Sequence, residues 1–404
     1  MHYVIIGGGI AGTTAAEELR KLDPDSEITL ISEEYHALYS RVLLPHYIKG
    51  KIPRERVFLK KSGGAGSGSA GESWYEEQNI DWLTGEIVLR VDQKNKFVEL
   101  LSGREVEYDK LLIASGVEVK LMEQDLPGLS YLRTLDDADH LVELLRALPK
   151  DAKVGIYGGG FIASEYLNIF HEANLQTTIA YRGSHMWSRG LSKEAGELIK
   201  NQLVQSGIVV LENAKEIEFL GDKKIEAFLT NGQTHPCDLM GLGVGVAPHF
   251  SFLKDSGIEV NQGIIANQFL ETNVQDIFVA GDVAEYFDER YGRHVHVASW
   301  MNAQMQGRCV AKNMFGERVS FDLVSSYAMN IVGIDVIFIG DVSRSDADET
   351  KMIGSVNDGG VTEFFIRKNQ IVGAILVGRN GDRKAVTELI RQKATGTEVE
   401  ALLV

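Results

Sequence analysis

One short pattern, met twice, restricts this chain more than any other feature. Glycine-x-glycine-x-x-small follows an apolar run and opens a segment rich in small residues. The first copy reads YVIIGGGIAGTTAAEEL from Tyr3, with Gly7, Gly9 and Gly12 at the fixed positions. The second reads KVGIYGGGFIASEYL from Lys153, with Gly158, Gly160 and Ala163. A continuous apolar run of this length predicts a strand buried on both faces of a parallel sheet. The glycines permit a tight turn and leave room for a pyrophosphate at the N-terminus of the next helix. Strand, glycines, small-faced helix and second strand in that order predict a dinucleotide site at each copy.

The two copies end differently. After the first, strand 28–31 runs to Glu33, which lies 26 residues beyond Gly7. A carboxylate there accepts hydrogen bonds from the hydroxyls of an adenosine ribose. After the second, strand 177–181 ends on Tyr181 and Arg182 with no acid. Arg182, helped by Arg189 or His185, suits the 2′-phosphate of NADPH. The alternatives are a solvated Arg182, or one lying over the adenine, so NADH and NADPH both stay open. Two sites in one chain imply a relay: a held flavin and a diffusible nicotinamide that reduces it.

Two further segments close the first site. Residues 108–116, YDKLLIASG, read as a buried strand and a turn at Gly116. Residues 272–284, TNVQDIFVAGDVA, give strand 277–280 with Gly281 and Asp282 at its end. Asp282 is placed to bond a ribityl hydroxyl, with a structural Asx cap as the alternative. For 404 residues these motifs predict an α/β chain of two Rossmann-like three-layer domains, for FAD and NAD(P), plus a small C-terminal α+β domain. The expected boundaries are 1–115 and 246–320 for a split FAD domain, 116–245 for NAD(P), and 321–404 for the last.

In this order the GGGIAG, LLIASG, GGGFIASE and IFVAGD segments resemble the FAD-dependent pyridine nucleotide–disulfide oxidoreductase superfamily over about residues 1–320. A narrower resemblance lies in LYSRVLLPHYIKG, residues 38–50. It is similar to rubredoxin and ferredoxin reductases and to the flavin-binding part of nitrite reductase large subunits. Their Y-x-R-x-x-L context matches Tyr39, Arg41 and Leu44, and implies that Arg41 contacts the FAD pyrophosphate; a surface salt bridge is the alternative. The resemblance also implies that Glu165 sits near nicotinamide and flavin. His46 stands where related reductases often carry lysine, and it is expected either to pair with Glu165 or simply to pack. Trp300 and Gln304, within an expected helix over 296–315, are placed at the ring end of FAD or in ordinary packing. Glu165 and His46 are therefore the candidate catalytic positions, with no metal site expected.

Cysteine count decides among the chemistries of that family. Cys237 and Cys309 are the only two, and no cysteine precedes 237. The thiolate that would attack a disulfide or a peroxide is missing beside the flavin, where Ser40, Arg41 and Val42 stand. Both cysteines are expected to be buried small hydrophobes. Reducing equivalents must then leave the flavin another way, and electron transfer to a small carrier such as rubredoxin or ferredoxin fits best. The alternatives are an oxidase or diaphorase reducing oxygen, quinone or another small acceptor, and an FAD-binding sensor or assembly factor.

Charge and hydropathy narrow the partners. With 41 basic and 57 acidic residues the net charge is −16, which disfavours nucleic acid. Apolar runs are too short for a membrane span. The chain starts directly on a strand with no signal-like segment, so the cytoplasm is expected, as monomer or homodimer. Lys49, Lys51, Arg54, Arg56, Lys60 and Lys61 crowd one stretch with only Glu55 among them. They form either a docking patch for an acidic carrier or a solvated face. Residues 62–71, SGGAGSGSAG, have linker composition. Beyond about 320, strands over 332–339, 361–366 and 370–377 and a helix over 385–392 are expected.

Overall fold

The computed structural model describes residues 1–60 and 72–399, so the expected linker over 62–71 lies outside the described residues. The chain divides into two compact units. One comprises Met1–Leu43, Ile52–Glu118 and Val246–Leu323; the other comprises Leu44–Lys51, Val119–Gly245 and Val324–Val404.

The first unit is built on a five-stranded sheet. Its order is Ile277–Val279, Lys110–Ile113, His2–Ile6, Glu27–Ser32 and Asp81–Thr84, every neighbouring pair parallel. The strand His2–Ile6 is flanked on both sides, which is why Tyr3 to Ile6 are all buried and apolar. Register puts Ile6 opposite Ile31 and Ile113. Gly7, Ser32 and Ala114 therefore emerge together at the carboxyl edge, where ligands of open parallel sheets bind. Helix Ile10–Leu22 leaves that edge and packs along helix Trp300–Phe315. The approach is close: a Cβ on Gly307 would stand 2.4 Å from the carbonyl oxygen of Ala11.

The second unit repeats this arrangement. Its parallel sheet runs Val209–Leu211, Gln176–Ala180, Lys153–Tyr157, Leu239–Leu242 and Leu129–Ser130. Tyr157 lies opposite Ala180 and Leu242, so Gly158, Tyr181 and Gly243 share one edge. The same unit holds an antiparallel sheet in the order Ser326–Ile331, Ile334–Gly340, Gln370–Val377, Gly360–Arg367 and Glu349–Ser355. Helix Arg383–Arg391 covers it with Val386 and Ile390, against Ile337, Phe364 and Leu376. The fold class is thus α/β with two Rossmann-like sheets and a C-terminal α+β part.

Three expectations are corrected. Two strands of the C-terminal sheet, Ser326–Ile331 and Glu349–Ser355, escape sequence reading because both are edge strands with many exposed positions. Val332 is not a strand residue. With φ +48, and Gly333 at +99, it forms the two-residue turn of a hairpin whose second strand begins at Ile334. The helix expected from 296 begins at Trp300, capped by Ser299, whose hydroxyl accepts from the Asn302 N–H; His296 ends the strand Arg293–His296.

Candidate functional site

At the first loop the glycines divide into two kinds. Gly7 has φ +112, and a Cβ there would lie 2.2 Å from the Ala114 carbonyl oxygen. A Cβ on Gly12 would lie 2.0 Å from the Gly7 oxygen. The fold itself forbids side chains at both. Gly9 is different: its φ is −73, ordinary extended backbone, and a Cβ there meets nothing within 4 Å. It caps helix Ile10–Leu22 without any side-chain bond to the first-turn N–H groups. The space beside this helix start is open, as an anion site requires.

The other expected groups are placed as follows. Glu33 is exposed at the end of strand Glu27–Ser32, with no hydrogen bond or ion pair among the described residues. Its neighbour Glu34 is engaged, accepting from Tyr39 Oη and pairing with Arg41 Nη2, each at 2.5 Å. Arg41 also donates to Tyr39 Oη at 3.0 Å. Burial works against the Arg41 charge, yet Glu34, Tyr39 and Asp282 outweigh it and hold the guanidinium above its usual value. Arg41 and Asp282 are therefore brought together, and Arg41 already belongs to an ion pair. Gly281, at φ +87, fits against Ala11, with a Cβ only 3.1 Å from the alanine methyl. Its N–H donates to Gln306 Oε1 at 2.7 Å. Gly116 has φ +73 in the turn after Lys110–Ile113. Trp300, half-buried, is the first residue of its helix.

The second loop shows the same division. Gly158 has φ +135 and its Cβ would lie 2.2 Å from the Gly243 oxygen. Gly243 itself would meet Ala163 N at 2.7 Å. Sequence reading passed over Gly243, although its place at the end of an apolar strand was the available signal. Gly160 caps helix Phe161–Glu172 in extended backbone, with no side-chain cap bond. A Cβ there meets only the Trp187 indole nitrogen, at 4.0 Å. Arg182 and Arg189 are exposed and make no hydrogen bond or ion pair among the described residues. His185 is not available to a phosphate. Its ring nitrogens engage Ser184 Oγ at 2.9 Å and the Leu191 oxygen at 3.2 Å.

Glu165 is half-buried on helix Phe161–Glu172; burial pushes its carboxyl up, with Lys49 pulling the other way. The expected pairing with His46 does not occur: no hydrogen bond or ion pair joins them. His46 is exposed, and desolvation followed by Lys49 and Lys51 pushes its imidazole down. The cation acting on Glu165 is Lys49, which also bonds Glu172 at 3.0 Å while Lys51 reaches the same carboxylate at 2.6 Å. The basic stretch 49–61 is partly paired within the fold. Lys49 and Lys51 are spent on Glu172, and Lys60 on Glu17 at 2.5 Å. Arg54 lies over Phe58, and Lys61 is outside the described residues. Two cysteines remain to be placed. Both are buried, and burial pushes their thiols up to about 12 for Cys237 and about 11 for Cys309. Neither supplies a thiolate near neutral pH.

Residues 1–307 match the family model described as pyridine nucleotide-disulphide oxidoreductase. The chain belongs to this family. FAD and NAD(P)H are its cofactors, and the two cradles fit them. Nitrite reductase [NAD(P)H] of Bacillus subtilis is 28% identical over 99% of this chain and 48% of its own length. The chain thus spans about half of that relative. NADH-rubredoxin oxidoreductase of Clostridium acetobutylicum is 27% identical over 93% of this chain and 90% of its own. Among solved structures, a ferredoxin reductase from Rhodopseudomonas palustris matches with a TM-score of 0.83 and 25% identity. That match covers 95% of this chain and 92% of the other. No helix among the described residues is long and apolar enough to cross a membrane.

Proposed function

We propose that the protein is an FAD-dependent NAD(P)H oxidoreductase that delivers electrons to a small carrier protein of the rubredoxin or ferredoxin kind. The observation that carries this reading is the open space before Gly9 and Gly160, two glycines the folded chain does not itself require. When bound, FAD supplies the conversion between a two-electron donor and a one-electron acceptor. The chain's own residues bind and orient. In this reading the N–H groups after Gly9 and the Arg41 guanidinium hold the FAD pyrophosphate. Glu33 accepts from the adenosine ribose and Asp282 from the ribityl chain, with Gly7, Gly12, Gly116, Gly281 and Trp300 lining the cofactor. Gly158, Gly160 and Ala163 receive the nicotinamide dinucleotide. Glu165 aligns its nicotinamide end, with Lys49 in place of His46 as the balancing cation; alignment is what such a transfer most needs.

Without a reactive thiolate, electrons leave by way of a carrier rather than a disulfide. The names of the rubredoxin and ferredoxin reductase relatives support that acceptor class. The division into 1–115 with 246–320, 116–245 and 321–404 is part of the same proposal. Isothermal titration of the FAD-loaded protein with NADP+ and NAD+, which bind without reducing the flavin, tests the second cradle. Arg182→Glu should weaken NADP+ at least about tenfold more than NAD+, because it turns a phosphate partner into a repelling charge. Equal losses for both nucleotides would reject the phosphate contact.

A further inference from the structure

Residues 183–191 join the second nucleotide strand to helix Lys193–Gln205 and lie directly on the glycine loop. The Trp187 N–H donates to the Gly159 oxygen at 2.8 Å. The indole nitrogen of Trp187 stands before Gly160, and a Cβ on Gly159 would meet Met186 Cα at 3.5 Å. Trp187 has φ +48, a conformation that a bulky L-residue keeps only when its surroundings impose it.

The C-terminal sheet supplies those surroundings. The Trp187 ring packs on Phe338 with centroids 5.7 Å apart. Arg344 donates from Nε to the Gly190 oxygen at 3.2 Å. Glu363 lies in strand Gly360–Arg367, where its neighbours Val361, Phe364 and Phe365 are fully buried. Only 2% exposed, its carboxylate accepts from Arg344 Nη2 through one oxygen and from the Ser192 N–H at 3.2 Å through the other. Ser192 in turn caps helix Lys193–Gln205, its hydroxyl accepting from Ala195 N at 3.2 Å. A charge buried in an apolar strand is costly and adds nothing to the sheet. Its partners show what it serves: both lead to the loop.

We propose that Glu363 and Arg344 are positioning residues for the nicotinamide dinucleotide, so that the C-terminal sheet sets nucleotide affinity by holding residues 183–191 against the second glycine loop. The inference rests on the nucleotide reading of that loop. Arg182 directly precedes this segment in the chain, so NADPH binding should feel the sheet most.

The test is isothermal titration of FAD-loaded protein with NADP+ and NAD+, which bind without reducing the flavin, beside thermal melting. Glu363→Gln removes the charge that holds Arg344, and Arg344→Lys keeps the charge but loses the bond to Gly190. Glu363→Gln should raise the NADP+ dissociation constant about tenfold, the worth of one charge-assisted bond. Arg344→Lys should raise it about threefold or more, with the flavin spectrum unchanged in both. Arg379→Gln, which breaks the Arg379–Asp382 pair just beyond the strand Gln370–Val377, serves as control and should leave affinity alone. Affinities within twofold of the parent in both variants, even with lower melting temperatures, would overturn the inference. If Glu363→Gln does not fold, the same limits on Arg344→Lys decide. A parent that binds FAD but neither nucleotide would overturn the reading of the second loop itself, a failure distinct from unmoved variants of a binding parent.

Discussion

Gly9→Asp should leave the FAD-free fold at least as stable as the parent and abolish FAD binding. Gly9 caps its helix in extended backbone with open space around it. Aspartate is among the best N-cap residues, and its charge suits the helix dipole, so the empty fold gains rather than loses. The same charge then occupies the place of the pyrophosphate. Two unit charges 4 Å apart at a protein surface repel by about 4 kcal/mol, which is about a thousandfold in affinity. The comparison must be made between FAD-free forms, because bound FAD raises the parent's melting temperature by linkage alone. Gly160→Asp is the matching substitution for the second loop: FAD content stays and nicotinamide binding goes. Parent-like FAD content in purified Gly9→Asp protein would refute the assignment of the first cradle.

Gly307→Val should have the opposite signature, a stability loss already present without FAD. Helix propensity alone would favour replacing this glycine, by up to about 1 kcal/mol for alanine. Packing reverses the sign. A Cβ at 307 would lie 2.4 Å from the Ala11 oxygen and 3.2 Å from Thr14 Cβ, the first a backbone atom that cannot turn aside. The two helices must separate, and the expected loss is about 3 kcal/mol. Melting of the FAD-free protein measures it; an unchanged midpoint would mean that the helices do not approach as described.

What could be read from sequence follows from the range of the interactions involved. The glycine loops, their strands and the acid at Glu33 lie within one strand–helix–strand unit, so periodicity and spacing expose them. The segments at 108–116 and 272–284 were legible because each combines an apolar run with a turn residue. Long-range choices were hidden. Nothing local says that Glu34 rather than Glu33 takes Arg41, or that Lys49 and Lys51 are spent on Glu172. The family's lysine position points to His46 as a partner for Glu165, whereas the charge that reaches Glu165 comes from Lys49, one turn further on. The edge strands of the C-terminal sheet lack apolar alternation because each has only one buried residue, Ile331 in one and Ile353 in the other. Glu363 reads as an oddity in an apolar strand until its partners at Arg344 and Ser192 are seen.

The central claim is that electrons pass from a nicotinamide through FAD to a protein carrier. Stopped-flow absorbance under anaerobic conditions tests it most directly. The flavin band of the FAD-loaded protein should bleach on mixing with NADPH or NADH. It should then recover far faster on adding oxidised rubredoxin or ferredoxin than on adding oxygen. No bleaching with either nucleotide, or recovery with oxygen alone, would contradict the account.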